Sequence, residues 1–380
     1  METIATQFRQ LYAKADEDER RKFLDELQDL QLSMDDDWDT ILRLGSGFLQ
    51  FSLVAIGTDL GVYEALSNSQ DVVTLDHFVS QTGASRGLLG HILRTQAAFG
   101  QIEEAGQDNF RANRMTKMLA KPNIAGGVYH GLTVHGGTAL ALPSYLKARK
   151  YQDITSNRHL AFHDAMSTDL PPFEWMKQRP EQMKSLGHAM ATQRTLYWVT
   201  DYPVENEVGS FSPAPDSALL VDIGGGFGQQ AVAFKQNFGN IPGRIIVQDI
   251  QQTLDSAPAV EGIEFMVQDF FQPQAIKGAK FYYLRAIMHD WPDAECVKIL
   301  RNIVPAMGPE SRIIIDDVVM PDTNVPWQAA YMSLTMMGCL GSLERTKAEF
   351  TALLDQAGLK IVDIHKYDSR LNSVILAAPQ

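Results

Sequence analysis

The chain has 380 residues, of which 45% are apolar and 21% charged, and its net charge is −13. That length exceeds what one hydrophobic core ordinarily serves, and the composition is that of a folded chain rather than a disordered one. The acidic balance argues against nucleic acid and anionic membranes as partners, and two cysteines, Cys296 and Cys339, are too few for a disulfide frame. Both cysteines sit in apolar patterns, and no apolar stretch reads as long enough to cross a bilayer, so a cytoplasmic protein with no membrane is expected.

From about Thr3 to Ser33, apolar residues recur at helical spacing (Phe8, Leu11, Phe23, Leu27, Leu30). Within this stretch the mixed-sign run Asp16-Glu17-Asp18-Glu19-Arg20-Arg21-Lys22 reads as a solvated helix face. A second helix is expected near Asp37, where Asp35, Asp36 and Asp37 can cap it and suit the positive end of its dipole. Its continuation, Phe48-Leu49-Gln50-Phe51-Ser52-Leu53-Val54, is too apolar to face water on all sides. A second copy of the chain is its expected cover, giving a homodimer through the N-terminal helices.

Residues Val62 to Met118 spell a helix, a helix begun by Thr74, another begun by Ser85, and a hairpin from Gly100-Gln101-Ile102-Glu103-Glu104 to Phe110-Arg111-Ala112. This is a winged-helix pattern. Between residues 57 and 115 seven acids face four arginines, which disfavours DNA binding by the Ser85 helix and leaves dimerisation as the expected role. A helical section rich in Met, His and aromatic residues comes next, from Pro122 to Tyr202. The expected domains are residues 1–118 (helical, winged-helix, dimer-forming), 119–205 (a helical linker contributing to a substrate pocket) and 206–380.

From Ser217 the texture changes to strands alternating with helices. Strand signals are Ala218 to Ile223, Arg244 to Val247, Gly262 to Met266, Lys280 to Leu284, Arg312 to Val319, Gly358 to Tyr367 and Ser373 to Ala378. Helical patterns lie between most of them, as in Glu295 to Met307 and Lys347 to Ala357. The fold class is therefore α/β, with a Rossmann-like doubly wound sheet at the C-terminus and a helical domain before it.

The first of these strands ends in Val221-Asp222-Ile223-Gly224-Gly225-Gly226-Phe227-Gly228. In an open parallel sheet a ligand lies across such a turn, and glycines allow the backbone to approach it. A dinucleotide turn prefers glycine at its first, third and sixth positions, whereas here Gly224, Gly226 and Gly228 are followed by Gln229 at the sixth. The shortened spacing suits S-adenosylmethionine, which has no pyrophosphate. Asp249, past the second strand, is expected to accept the ribose hydroxyls, and Asp269-Phe270, after the third, to flank the adenine.

The strand Lys280 to Leu284 runs into Arg285-Ala286-Ile287-Met288-His289-Asp290-Trp291-Pro292-Asp293, which puts His289 at the cofactor edge of the sheet. A histidine works as a general base near neutral pH because its ordinary pKa is about 6.5. This segment resembles the catalytic segment of the plant and fungal small-molecule O-methyltransferases. Nearly the whole chain is similar to the fungal branch, including Leu89-Gly90-His91-Ile92-Leu93-Arg94, Asp269-Phe270-Phe271 and Leu343-Glu344-Arg345-Thr346.

The resemblance implies that His289 deprotonates an acceptor hydroxyl, that Glu344 holds its imidazole, and that Arg285 lies beside the cofactor. The family's second carboxylate, usually glutamate, falls at Asp317, which is one methylene shorter, so its contact with His289 is expected to loosen. Fungal relatives often carry aspartate where Ser333 stands.

The same branch includes leporin-type pericyclases, which bind S-adenosylmethionine without transferring its methyl group and use its charge to polarise a substrate carbonyl. His130 and Arg194 match positions where those relatives place donors to the substrate, and the small-residue stretch Gly131 to Ala139 suits a large substrate. Met332, Met336, Met337 and Leu340 recur at helical spacing as core or as pocket lining, with Met336 the expected substrate contact. Methyl transfer is the preferred reading because His289 is retained, with the pericyclase reading as the alternative. His135 and His163-Asp164 lie in no recognisable metal-ligand spacing, and no metal is expected.

Overall fold

The computed structural model describes residues 2–192, 198–209, 211, 217–255, 257–368 and 372–380. The chain divides into two compact units, Met1–Leu140 with Phe173–Arg194 and Ala141–Pro172 with Thr195–Gln380.

The first unit begins with α1 (Glu2–Lys14), α2 (Glu17–Met34) and α3 (Asp37–Asp59). The helical pattern up to Ser33 is thus two helices rather than one. Asp16 adopts an extended conformation, its carboxylate accepts the Glu19 N–H at 2.9 Å, and the Glu19 carboxylate accepts the Asp16 N–H at 3.1 Å. This reciprocal pair starts a new helix inside the charge run read as a solvated face. Asp36 caps α3, accepting the Asp39 N–H at 2.8 Å.

One expectation is corrected by α3. Its 23 residues reach a mean hydropathy of 1.4 over an 18-residue window, which is long and apolar enough to cross a membrane. The charges Asp37, Asp39 and Arg43 are gathered in its first two turns, so that residues 44–58 carry none. In its far half Val54 and Gly57 are buried, and Gln96 donates to the Leu53 carbonyl at 3.0 Å, while Phe48, Leu49 and Ile56 stay exposed.

Two helices, Leu75–Thr82 and Arg86–Ala98, precede a hairpin of β2 (Glu103–Gly106) and β3 (Asn109–Arg111), with β1 (Val73–Thr74) paired on β3. Thr74 caps the first helix by accepting the His77 N–H at 3.2 Å, whereas the Ser85 side chain, at the start of the second, makes no capping bond. Val62, Tyr63, Phe78, Leu89, Leu93 and Phe110 form the core of this unit. Beyond it, the helix Pro122–His130 widens into a π-helical turn, Gly131–Gly136, before α-helix resumes at Gly137. Gly131 lies against Phe51, where a Cβ would stand 2.8 Å from the ring.

The sheet of the second unit contains β4 (Ala218–Ile223), β5 (Arg244–Asp249), β6 (Glu264–Val267), β7 (Phe281–Arg285), β8 (Arg312–Met320), β9 (Arg345–Thr346), β10 (Leu359–Lys366) and β11 (Asn372–Pro379). Their order is β10-β11-β8-β7-β4-β5-β6, with β9 on the end of β8; β10 pairs antiparallel with β11, and β11 antiparallel with β8. The chain moves outward from β4 through β5 to β6, then returns to the other side of β4 for β7. The order therefore reverses between β4 and β7, which is where such sheets bind ligands. Every residue of β4 is buried, as expected of a parallel strand covered on both faces. Register pairs Arg285 with Asp316, and the alternation along β8 sends Asp316 and Asp317 to opposite faces of the sheet.

Candidate active site

The turn after β4 is shaped by close contacts. Gly224 has φ +68° and a Cβ there would lie 2.6 Å from Ile287 Cδ1, while a Cβ on Gly225 would lie 2.5 Å from the Asp222 carboxyl carbon. The Gly224 and Gly225 N–H groups both donate to the Gln248 carbonyl, at 2.7 and 3.1 Å. Asp249 Oδ2 accepts the Gly226 N–H at 2.9 Å and its Oδ1 accepts the Ile250 N–H at 2.8 Å. The carboxylate expected to meet a ribose therefore also fixes the glycine turn, with a lone pair left on each oxygen.

Asp222 is buried beneath the turn. Burial pushes its pKa up to about 7 against the opposing pull of Arg285, and its Oδ2 has no hydrogen-bond partner among the described residues. A buried acceptor left open in this way fits a ligand that brings a donor, such as an ammonium group. Asp269 is exposed and accepts the Phe271 N–H at 2.9 Å, and the half-buried Phe270 packs edge to face on Trp291 beside Gly224.

Arg285, at the end of β7, lies with Nε 3.8 Å from Asp316. Asp316 is fully buried and accepts the hydroxyls of Tyr283 at 2.5 Å and Tyr367 at 2.6 Å. Burial alone would raise its pKa; Arg285 and the hydroxyl donors oppose that rise. This buried cluster behind Arg285 was not anticipated. Its signal was two adjacent acids, Asp316-Asp317, in an otherwise apolar strand.

After Arg285 the backbone passes through Ala286, at φ +51°, into the short 3-10 turn Met288–Asp290 that carries His289. His289 is 13% exposed; its Nδ1 lies 2.7 Å from Glu344 Oε1, and its Nε2 lies 3.5 Å from Asp290 Oδ1. Burial by itself would lower the imidazole pKa, but the carboxylates of Glu344, Asp317 and Asp290 outweigh it and raise the pKa from 6.5 to about 10. Glu344 is buried, and its second oxygen, Oε2, has no partner among the described residues.

Asp317 stands 4.0 Å from His289 Nδ1, beyond hydrogen-bond reach, and its Oδ2 accepts the Met288 N–H at 3.1 Å instead. The shorter side chain holds the backbone of the histidine turn rather than the ring. Ligand atoms of His289, Asp317 and Glu344 fall within 4.8 Å of one another. The 2.7 Å between His289 and Glu344 is a hydrogen-bond length, shorter than the roughly 3.3 Å that separates two ligands of one zinc ion at ~2.0 Å each.

Of the expected substrate residues, Met336 is buried in the helix Trp327–Leu340, where Ser333 Oγ accepts the Glu344 N–H at 3.3 Å. His130 is buried in the first unit with Nδ1 3.3 Å from Ser185 Oγ. The Ser185 hydroxyl donates to the Gln182 carbonyl, so the imidazole is the donor in the pair and Nε2 is left as an acceptor. Burial lowers the pKa of His130, and its neighbour His135 is lowered to about 4 by burial and by His130. Arg194 lies outside the described residues.

Comparison with known proteins matches residues 151–360 to an O-methyltransferase domain. The chain is 49% identical over 377 residues to a demethylsterigmatocystin 6-O-methyltransferase of Aspergillus flavus, covering 99% of this chain and 97% of that protein. Among solved structures, it resembles the LepI complex with SAM at TM-score 0.96 and 34% identity, covering 100% of this chain and 98% of the other. A structure described as a pericyclic reaction enzyme matches with the same TM-score, identity and coverage.

Proposed function

Since this chain belongs to the O-methyltransferase family, whose domain and full-length relatives it matches, we propose that it methylates a hydroxyl of a small secondary metabolite, with His289 as general base. Its cofactor is S-adenosylmethionine. The acceptor is a hydroxyl of polyketide, phenol, enol or pyridone type, and the 6-O-methyltransferase relative supports oxygen as the methylated atom. The observation that carries the reading is the 2.7 Å bond from His289 to the buried Glu344, which fixes the imidazole through Nδ1 and leaves Nε2 for an acceptor.

When bound, the cofactor supplies an electrophilic methyl group on a cationic sulfur. Asp222 would accept its ammonium group, Asp249 its ribose hydroxyls, Asp269 and Phe270 would flank its adenine, and Arg285 would lie beside it, steadied by Asp316. His289 takes the acceptor proton at Nε2, and the negative charge of Glu344 steadies the resulting imidazolium. A phenol of pKa about 10 is matched to an imidazole raised as far as this one, so the proton passes with little free-energy change.

The same raised pKa favours a second reading. A standing imidazolium is also a cationic donor that can polarise a substrate carbonyl, as required for a dehydration or pericyclic step that leaves the methyl group in place. Product mass and cofactor turnover separate the two. We expect one S-adenosylhomocysteine and a gain of one methyl group per product; product formed without either establishes the second reading.

Self-association through α1 to α3 is part of the proposal. Ile41, Leu44 and Phe48 are 61%, 76% and 61% exposed on α3, an apolar row that a second copy would cover. Sedimentation of the wild type is expected to give a dimer, and Leu44→Glu with Phe48→Glu a monomer. A wild-type monomer at tens of micromolar would remove this part.

A further inference from the structure

The turn that carries His289 is fastened by the residue next to the carboxylate that holds its ring. Arg345 is the neighbour of Glu344 in the chain, and its side chain is 2% exposed. Its Nη1 donates to the Met288 carbonyl at 2.7 Å and its Nη2 to the Trp291 carbonyl at 2.9 Å, the two carbonyls that bracket His289 and Asp290. Nε and Nη2 also donate to Asp293 Oδ1, at 2.9 and 2.8 Å, which balances the buried charge. Ser342 Oγ donates to the same Trp291 carbonyl at 2.7 Å. From the opposite side Asp317 accepts the Met288 N–H.

The backbone of Arg345 is itself fixed, because β9 pairs with the end of β8 and sets Arg345 opposite Val319. Glu344 and Arg345 thus reach the histidine turn from one anchored dipeptide, one gripping the ring and the other the backbone on both sides of it.

We propose that Arg345 is a positioning residue for His289, holding the Met288–Trp291 backbone at the distance that keeps Nδ1 on Glu344 and Nε2 toward the acceptor. A planar guanidinium can serve both carbonyls and Asp293 together, whereas a lysine ammonium, a single point of charge on a flexible stem, cannot hold that fork. Precision is the reason to bury it: displacing a reacting group by about 1 Å costs on the order of 10²-fold in rate. The inference rests on the base reading of His289.

The test compares Arg345→Lys, Ser342→Ala, His289→Ala and the double variant His289→Ala/Arg345→Lys. For Arg345→Lys we expect kcat to fall about 10- to 100-fold, with cofactor Kd and acceptor KM held within about threefold. The ascending limb of its pH–rate profile moves to lower pH as the imidazole slips from Glu344. Ser342→Ala, which removes one of the donors to the Trp291 carbonyl and leaves those of Arg345 and Cys296, loses several-fold in kcat. In the double variant the Arg345 change costs nothing beyond His289→Ala. If Arg345→Lys does not fold, Asp293→Asn carries the test with the same split between kcat and KM, since Asp293 is the guanidinium's counter-charge and is itself two-thirds exposed. A loss in proportion to unfolded protein with an unmoved pH limb, or an equal loss in the His289→Ala background, overturns the clamp. A kcat for His289→Ala within about tenfold of wild type overturns the base reading instead, so the two failures are told apart.

Discussion

His289→Ala is expected to lower kcat for methyl transfer by about 10²- to 10⁴-fold, the usual contribution of a positioned general base. Cofactor affinity should stay within a few-fold, because Asp222, Asp249 and the glycine turn are untouched. In the wild type, with the imidazole raised to about 10, the basic form is scarce at neutral pH and kcat/KM for the acceptor climbs as pH rises. At saturating cofactor the climb levels off below pH 10, because a cationic sulfur opposes the imidazolium. The climb is absent in His289→Ala.

Thermal stability carries the same signature. The folded protein holds the His289 proton more tightly than the unfolded chain does, so the stabilisation from it is complete below pH 6.5 and is lost as pH rises through about 10. Between pH 8 and 10 the Tm of the wild type should fall more steeply than that of His289→Ala. Equal slopes together with a pH-independent rate would exclude His289 as the titrating base.

Gly224→Val is expected to abolish useful cofactor binding while leaving the first unit folded. Valine at φ +68° costs about 1 to 2 kcal/mol for the left-handed backbone, and forcing its side chain against Ile287, where a Cβ alone would stand 2.6 Å away, adds about 1 to 3 kcal/mol. Relief requires the turn to move from the Gln248 carbonyl, which changes the surface the cofactor meets. Titration calorimetry should show Kd raised on the order of 10²-fold. A Kd within threefold of wild type would mean that the cofactor lies elsewhere.

Seven strands of the second unit were legible because most are short apolar runs bounded by glycine, proline or charge, whereas the two-residue β9, Arg345–Thr346, reads in sequence as a helix start. Ala218 to Ile223 is fully buried as its apolar run, interrupted only by Asp222, implies. The break at Asp16 was hidden because a capping residue and its partner, Asp16 and Glu19, look like any other members of a charged helix face. The reach of α3 was underestimated because its charges are confined to one end. At the candidate site the glycines, Asp249 and His289 could be read from position alone, since the residues just past the carboxyl end of a parallel strand must lie along the ligand edge of the sheet.

Arg345 and Asp316 could not be read in that way. A charge in sequence is taken to be at the surface, and only coordinates show that these two are enclosed and what they hold. Asp317 is intermediate: its shorter reach was evident from chemistry, but that its carboxylate would bind the Met288 backbone was not.

The π-helical turn Gly131–Gly136 has a consequence for how this chain can vary. Such a turn accommodates an additional residue within an otherwise regular helix, so its length and its identity are constrained separately. Side chains within it can be exchanged except at Gly131, where a Cβ would stand 2.8 Å from the Phe51 ring. Removing one residue would let it tighten to regular α-helix and leave the helix from Gly137 on close to its present register, since the residue lost is the one that the wider turn absorbs. Diversification after His130 is therefore open to the loss of one residue and closed to a side chain at Gly131, where Phe51 already fills the space.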